Sequence, residues 1–173
     1  MKILLDKKTI LELFNALNQK LHKENVQGEL YLVGGAVMCL NFNTRPSTLD
    51  IDGYYAPKTK IKEAAQKVAE EFNINTDWLN DAVKGFLSPH GNFSEYLELS
   101  HLKIFCAHPE YLLAMKCLCM RLGKEFHDES DIRYLLRYLN ITKSEDALKI
   151  IEKYYDQKLI PQKTFYALEE LLS

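Results

Sequence analysis

The sequence predicts an α/β (α+β) protein in which a small mixed β-sheet is flanked by helices and followed by a helical C-terminal region. Three observations carry this reading. An apolar stretch ending at Val33 runs into Gly34-Gly35, a stretch from Leu49 to Tyr54 alternates apolar residues with Asp50 and Asp52, and beyond His108 only helical periodicities recur. The first two are strand signals. The third divides the chain into a sheet-bearing core, 1–107, and a helical region, 108–173, packed on that core.

Within residues 9–23, Ile10, Phe14, Leu17 and Leu21 fall on one helical face with Lys and Glu between them, which predicts a packing helix. Residues 25–28 break it, and 29–33 form an apolar strand suited to the middle of a sheet. Ala36 to Phe42 reads as a short helix whose amino end faces the glycine pair. In the next strand, 49–54, Leu49 and Ile51 are expected inside while Asp50 and Asp52 share the other face. Pro57 ends that region, and 58–72 predicts a helix with Ile61, Ala64, Ala65, Val68, Ala69 and Phe72 on its apolar side.

Residues 76–86 read as a further helix capped by Thr76 or Asp77, with Trp78 buried between helix and sheet. Pro89 and Gly91 make 88–92 a surface loop, and two short strands follow at 95–99 and 102–107. Pro109 opens a helix, apolar nearly all round and therefore buried, that reaches about Leu122. Another helix spans 127–139, and Thr142-Lys-Ser-Glu145 has the pattern of a capping box for a helix through Tyr155. Pro161 begins the last helix, with Phe165, Leu168, Leu171 and Leu172 inward. There are no internal repeats or low-complexity tracts.

The 173 residues are 47% apolar and 27% charged, which is enough apolar content for a sizeable interior. A net charge of −2 gives no general attraction to a polyanion, and no basic patch stands out. Met1 to Leu5 is too short for a secretory leader, and no run approaches the roughly 20 apolar residues of a bilayer span. A cytoplasmic location without a membrane partner is expected. Cys39, Cys106, Cys117 and Cys119 lack ligand spacing and read as buried apolar residues. The five histidines form no H-E-x-x-H, and neither a nucleophile elbow nor a P-loop pattern occurs, which argues against a zinc enzyme, a serine hydrolase and a P-loop ATPase.

The stretch Tyr31 to Tyr55 concentrates the chemistry. Two carboxylates at i and i+2 on one strand face repel each other unless a cation sits between them. Asp50 and Asp52 are therefore candidate ligands of a divalent metal ion, the alternative being a solvated strand face. Gly34-Gly35 allows close approach of a phosphate to backbone N–H groups, or simply makes a tight strand-to-helix turn. Arg45, Ser47 and Thr48 are donors suited to phosphate oxygens; equally, Arg45 could pair with Asp50 while Ser47 or Thr48 caps the loop. Lys116, in an apolar helix, must reach a phosphate, reach the surface, or find an acid. Asp128 and Asp131 share a helix face and are candidate partners for Lys116 or Arg121.

Gly34-Gly35, then Arg45-Pro-Ser-Thr48, then Asp50-Ile-Asp52 resembles the signature of the nucleotidyltransferase superfamily. The later run Leu112-Leu-Ala-Met-Lys116, through Arg121 to Asp128-Glu-Ser-Asp131, resembles its small prokaryotic stand-alone branch, which includes the abortive-infection type IV toxins. Together these stretches cover roughly 28–137. The resemblance implies a nucleotidyltransferase-like fold whose helical region closes a substrate cleft. It also implies Mg²⁺ or Mn²⁺ on Asp50 and Asp52, and a nucleoside triphosphate cradled by Gly34 and Gly35 with Arg45, Ser47 or Thr48. Lys116 would serve that site as a positive charge. The nucleoside monophosphate would pass to a hydroxyl on a protein, a tRNA or a small molecule. The superfamily completes its metal site with a third acid on a neighbouring strand, for which Glu98 is the best candidate and Glu95 the weaker. The resemblance equally allows a non-catalytic nucleotide- or protein-binding module, with an antitoxin as a possible partner.

Overall fold

In the computed structural model, which describes residues 3–121 and 127–173, the chain forms two units. One comprises Met1–Gly85 with Phe93–Ala107, the other Phe86–Asn92 with His108–Ser173.

The first unit opens with β1 (Leu5–Asp6) and α1 (Lys7–Lys23). Asp6 caps the helix by accepting a 2.8 Å hydrogen bond from the Thr9 N–H. The predicted periodicity holds, since Ile10, Leu13, Phe14, Leu17 and Leu21 are all fully buried. β2 (Gly28–Val33) follows, then a three-residue helix α2 (Gly35–Val37) and a π-helical turn (Met38–Phe42). β3 (Ser47–Thr48) pairs antiparallel with β1, Leu5 opposite Thr48 and Asp6 opposite Ser47. β4 (Ile51–Ala56), α3 (Lys58–Phe72) and β5 (Leu79–Asn80) come next, and β6 (Phe93–Glu98) and β7 (Leu102–Ala107) close the unit.

The five-stranded sheet has the order β5-β4-β2-β7-β6. It is mixed: β2 runs antiparallel to β4 and parallel to β7, β5 runs parallel to β4, and β6 antiparallel to β7. α1 and α3 cover the face that carries Leu30, Leu32, Ile51, Ile104 and Cys106, all buried. Each such Leu or Ile contributes about 1.5–3 kcal/mol on burial. Alternation puts Asp52, Tyr54, Glu29, Tyr31, Lys103 and Phe105 on the opposite face.

Two predictions in this unit need correction. Leu49 is 51% exposed rather than inside, because the strand starts only at Ile51. Residues 76–86 are not one helix: β5 and a 3-10 turn (Ala82–Phe86) replace it. Trp78 is nonetheless buried, its indole N–H donating to the Ala65 carbonyl at 2.9 Å. That anchor and the bond from the Ile51 N–H to the Trp78 carbonyl (2.6 Å) pull the segment to the sheet edge. The pairing of the amino terminus with β3 was not foreseen either.

In the second unit, α4 (Pro109–Leu118), α5 (Asp128–Tyr138), α6 (Ser144–Glu152) and α7 (Gln162–Leu171) succeed one another. The first of these ends at Leu118, capped by Cys119, and so stops short of the expected end near Leu122, a residue outside the described ones. The capping box is absent, since Lys143 occupies the cap position of α6 and no side chain bonds there. Thr164, fully buried, donates to the Cys117 carbonyl at 2.8 Å and ties α7 to α4. Residues 86–92 belong to this unit because tyrosines hold them. The Ser88 N–H donates to the Tyr111 hydroxyl (3.0 Å), the Ser88 hydroxyl to the Tyr154 carbonyl (2.6 Å), and the Tyr155 hydroxyl to the Phe86 carbonyl (2.5 Å). Cys39, Cys106 and Cys117 are buried as expected, and desolvation pushes the Cys117 thiol up to about 12. Among the described residues no helix is long and apolar enough to cross a membrane.

Candidate functional site

The centre of the first unit is where β2 ends against β4. Val33 pairs with Asp52, so the residue after Val33 lies beside that carboxylate. Gly34 takes φ 71° and ψ −152°, a conformation that side chains rarely adopt. A Cβ on Gly34 would stand 3.2 Å from Asp52 Oδ2. One on Gly35 would overlap the Arg45 guanidinium, 2.9 Å from its Cζ, and sit 3.0 Å from Thr48 Oγ1. The glycine pair thus has a carboxylate on one side and a cation and hydroxyl on the other. Of the predicted residues, Gly34 meets Asp52, Gly35 meets Arg45 and Thr48, and Asp50 is tied in through its backbone carbonyl.

Local structure explains how these side chains arrive. The π-helical turn ends at Asn43, which adopts a left-handed conformation (φ 53°, ψ 28°) that asparagine tolerates. The chain reverses there and brings Arg45 back to the glycines. β1 then clamps the returning segment by pairing with Ser47 and Thr48. Thr48 is only 5% exposed and its hydroxyl donates to the Asp50 carbonyl at 3.2 Å. Ser47 is half-buried, opposite Asp6. Asp50 stands just ahead of β4, and Asp52 lies on it.

Glu98 is a correction. It pairs with Lys103, which pairs with Glu29, which pairs with Ala56 at the far end of β4. Three strands across and four residues along put its backbone about 20 Å from that of Asp52. Its carboxylate instead lies 3.5 Å from Lys103 Nζ on the exposed edge. Glu95, opposite Phe105 on the same edge strand, is exposed and also three strands away. The neighbour that the structure does bring to Asp52 is Asn80, its parallel partner on β5. Reading 76–86 as a helix hid it; a strand of two residues, Leu79–Asn80, is too short to leave a period-2 signal. Asn80 is engaged locally, its Oδ1 accepting from the Ala82 N–H and its amide donating to the Asp77 carbonyl, both at 3.2 Å. Among the described residues no group of three or more His, Cys, Asp or Glu side chains gathers.

Lys116 belongs to the second unit, where it is 7% exposed. Its Nζ lies 2.8 Å from Asp131 Oδ2 and 3.6 Å from Asp128 Oδ1. Asp128 also accepts from the Arg121 backbone N–H (3.0 Å) and side-chain Nε (2.9 Å). Of the roles open to Lys116, this geometry supports the acidic pairing. Burial works to raise the Asp128 carboxyl, but the Arg121 hydrogen bonds and the Lys116 charge outweigh it and hold the group below its ordinary value. A depressed folded-state value means stability that is fully present above the unfolded value near 3.8 and lost as pH falls through the folded one. Melting temperature should therefore drop as pH falls below about 4. Asp128→Asn should be less stable at pH 7 and lose less over the same acid range. Equal slopes for the two proteins would exclude Asp128 from the acid transition.

A mixed sheet flanked by helices, with a glycine pair at the end of its central strand facing a carboxylate on the antiparallel neighbour, is compatible with a nucleotidyltransferase-like fold. The chain belongs to the family described as nucleotidyltransferase of unknown function (DUF6036), whose model matches residues 8–143. Comparison with curated proteins and with solved structures gave no match.

Proposed function

We propose that the first unit binds a nucleoside triphosphate and transfers its nucleoside monophosphate to a hydroxyl acceptor on a protein, a tRNA or a small molecule. The observation that carries this reading is the packing of Gly34 against the Asp52 carboxylate and of Gly35 against Arg45 and Thr48. A Cβ at Gly35 would collide with Arg45 and one at Gly34 would press on the Asp52 carboxylate, so only glycines let these groups close in on a turn of the kind that suits phosphate. Arg45 adds a donor, Ser47 stands next in the same segment, and the Thr48 hydroxyl would serve a phosphate only by giving up its bond to the Asp50 carbonyl. Asp50 and Asp52 are hard oxygen donors, which fit Mg²⁺ or Mn²⁺. When bound, such an ion supplies charge neutralisation at the phosphates and at the departing pyrophosphate. The acceptor oxygen forms a bond to the α-phosphorus, the α-phosphorus to bridging-oxygen bond breaks, and pyrophosphate leaves while the hydroxyl proton is released.

Asp52→Asn tests the reading. Incubated with Mg²⁺, each labelled nucleoside triphosphate and a cell extract, the wild type should transfer label and the variant should lose at least 100-fold, the order of effect of removing one charged transition-state stabiliser (about 10²–10³). Label transfer undiminished in the variant would sink the assignment.

A second reading is a non-catalytic member of the fold that binds nucleotide or a protein, including the toxin–antitoxin role of the abortive-infection branch. The position of Glu98, at the far end of the edge strand, favours it, because the third acid that the resemblance implies is not supplied there. No transfer with any nucleotide or metal, together with a stable partner in pull-down, would support this alternative.

A further inference from the structure

On the sheet face that carries Asp52, the next position along β4 is Tyr54, and it heads a row of rings. Tyr54 pairs in register with Tyr31, and Tyr31 with Phe105. Tyr31 and Phe105 are stacked, with centroids 4.9 Å apart and planes within 8°, and the Tyr54 ring lies 5.6 Å from that of Tyr31. The Tyr31 hydroxyl donates to Glu29, which fixes the middle ring. Tyr54, tilted 37° to Tyr31, ends the row and is 48% exposed, so an aromatic ring is accessible at the end of a row held by its neighbours.

Its position matters. Along this face Gly34 comes first, then Asp52, then Tyr54, with Asp52 and Tyr54 separated by two residues of strand, about 7 Å. A nucleoside triphosphate has the same order: phosphates, then the reacting α-phosphate, then sugar and base. We propose that Tyr54 is the stacking platform for the base of the nucleotide, an inference that rests on the nucleotide-binding reading of the glycine site. The row beyond the rings holds Glu29, Lys103 and Glu98, two carboxylates against one amine, which is unsuited to the backbone of a polynucleotide. A single nucleoside is therefore the occupant. Stacking uses the π-face common to every base, so the platform contributes affinity without choosing among bases.

Calorimetric titration with Mg²⁺ and ATP, GTP, CTP, UTP or inorganic tripolyphosphate tests this on wild type, Tyr54→Ala and Tyr54→Phe. Tyr54→Ala should weaken all four nucleotides by about 5- to 100-fold, while tripolyphosphate binds as in the wild type and Tyr54→Phe retains nucleotide affinity. The ring is half-exposed and its loss leaves no buried cavity, and the tripolyphosphate titration reports directly on whether the fold is kept. Unchanged nucleotide affinity in Tyr54→Ala, or an equal loss for nucleotides and tripolyphosphate, would overturn the platform while leaving the glycine site standing. A wild type that binds neither tripolyphosphate nor any nucleotide would overturn both.

Discussion

Lys116→Met should lower stability by about 3–5 kcal/mol, the usual cost of removing one partner from a buried ion pair. Methionine keeps an unbranched stem of similar length, so the change removes the charge and little of the packing. What remains is the pair Asp128 and Asp131, both buried, with Asp131 losing its 2.8 Å partner. Arg121 still serves Asp128, so the damage should centre on Asp131. Against a typical total of about 5–15 kcal/mol, such a loss is large enough to shift urea midpoint and melting temperature well outside error. Adding Asp131→Asn should recover much of it, because the carboxylate that Lys116 contacted then carries no charge. Nucleotide titrations on the same proteins keep the alternative in view: a normally stable Lys116→Met with weakened nucleotide binding would assign the lysine to phosphate instead.

Gly35→Val should abolish nucleotide binding with a much smaller effect on the rest of the fold. The new Cβ overlaps the Arg45 guanidinium and crowds Thr48 Oγ1, so both donors must leave their places. A β-branched side chain adds two further atoms at the same point and cannot swing them away. Loss of even one charge-assisted hydrogen bond to phosphate costs about 1.5–3 kcal/mol, roughly 10- to 150-fold in affinity. Removing the backbone approach as well should take binding below detection in a titration that readily measures the wild type. Binding at wild-type strength would mean that phosphate does not use this turn.

The pairing of these two variants separates the chemistry of one unit from the stability of the other. It also marks where sequence reading succeeds. Strong local signals survived folding: the i, i+4, i+7 stripe of α1, the apolar face of α3, and the glycine pair placed between strand and helix all occur as the pattern requires. The strand bearing Asp52 was found too, but it starts only at Ile51, so Asp50 stands ahead of it and the expected placing of both carboxylates on one strand face does not hold. Short elements fared worse. β5 is two residues long, and its strand conformation comes from the Trp78 anchor and from β4 beside it rather than from its own sequence.

By itself the sequence determined the mixed sheet flanked by helices, the helical region after it, and a glycine pair close in the chain to two carboxylates. These follow from periodicity and from backbone chemistry, which act over a few residues. Only the tertiary structure decided which distant residues share a neighbourhood, because strand order and register are set by long-range pairing that leaves no local mark. That is why Glu98 was chosen and Asn80 missed, why the amino-terminal Leu5 and Asp6 emerge as a clamp on Thr48, and why the ring row ending in Tyr54 became visible. It is also why the partner of Lys116 stayed open until the structure set Asp131 2.8 Å away: a buried ammonium requires a counter-charge, but the sequence alone does not say which one.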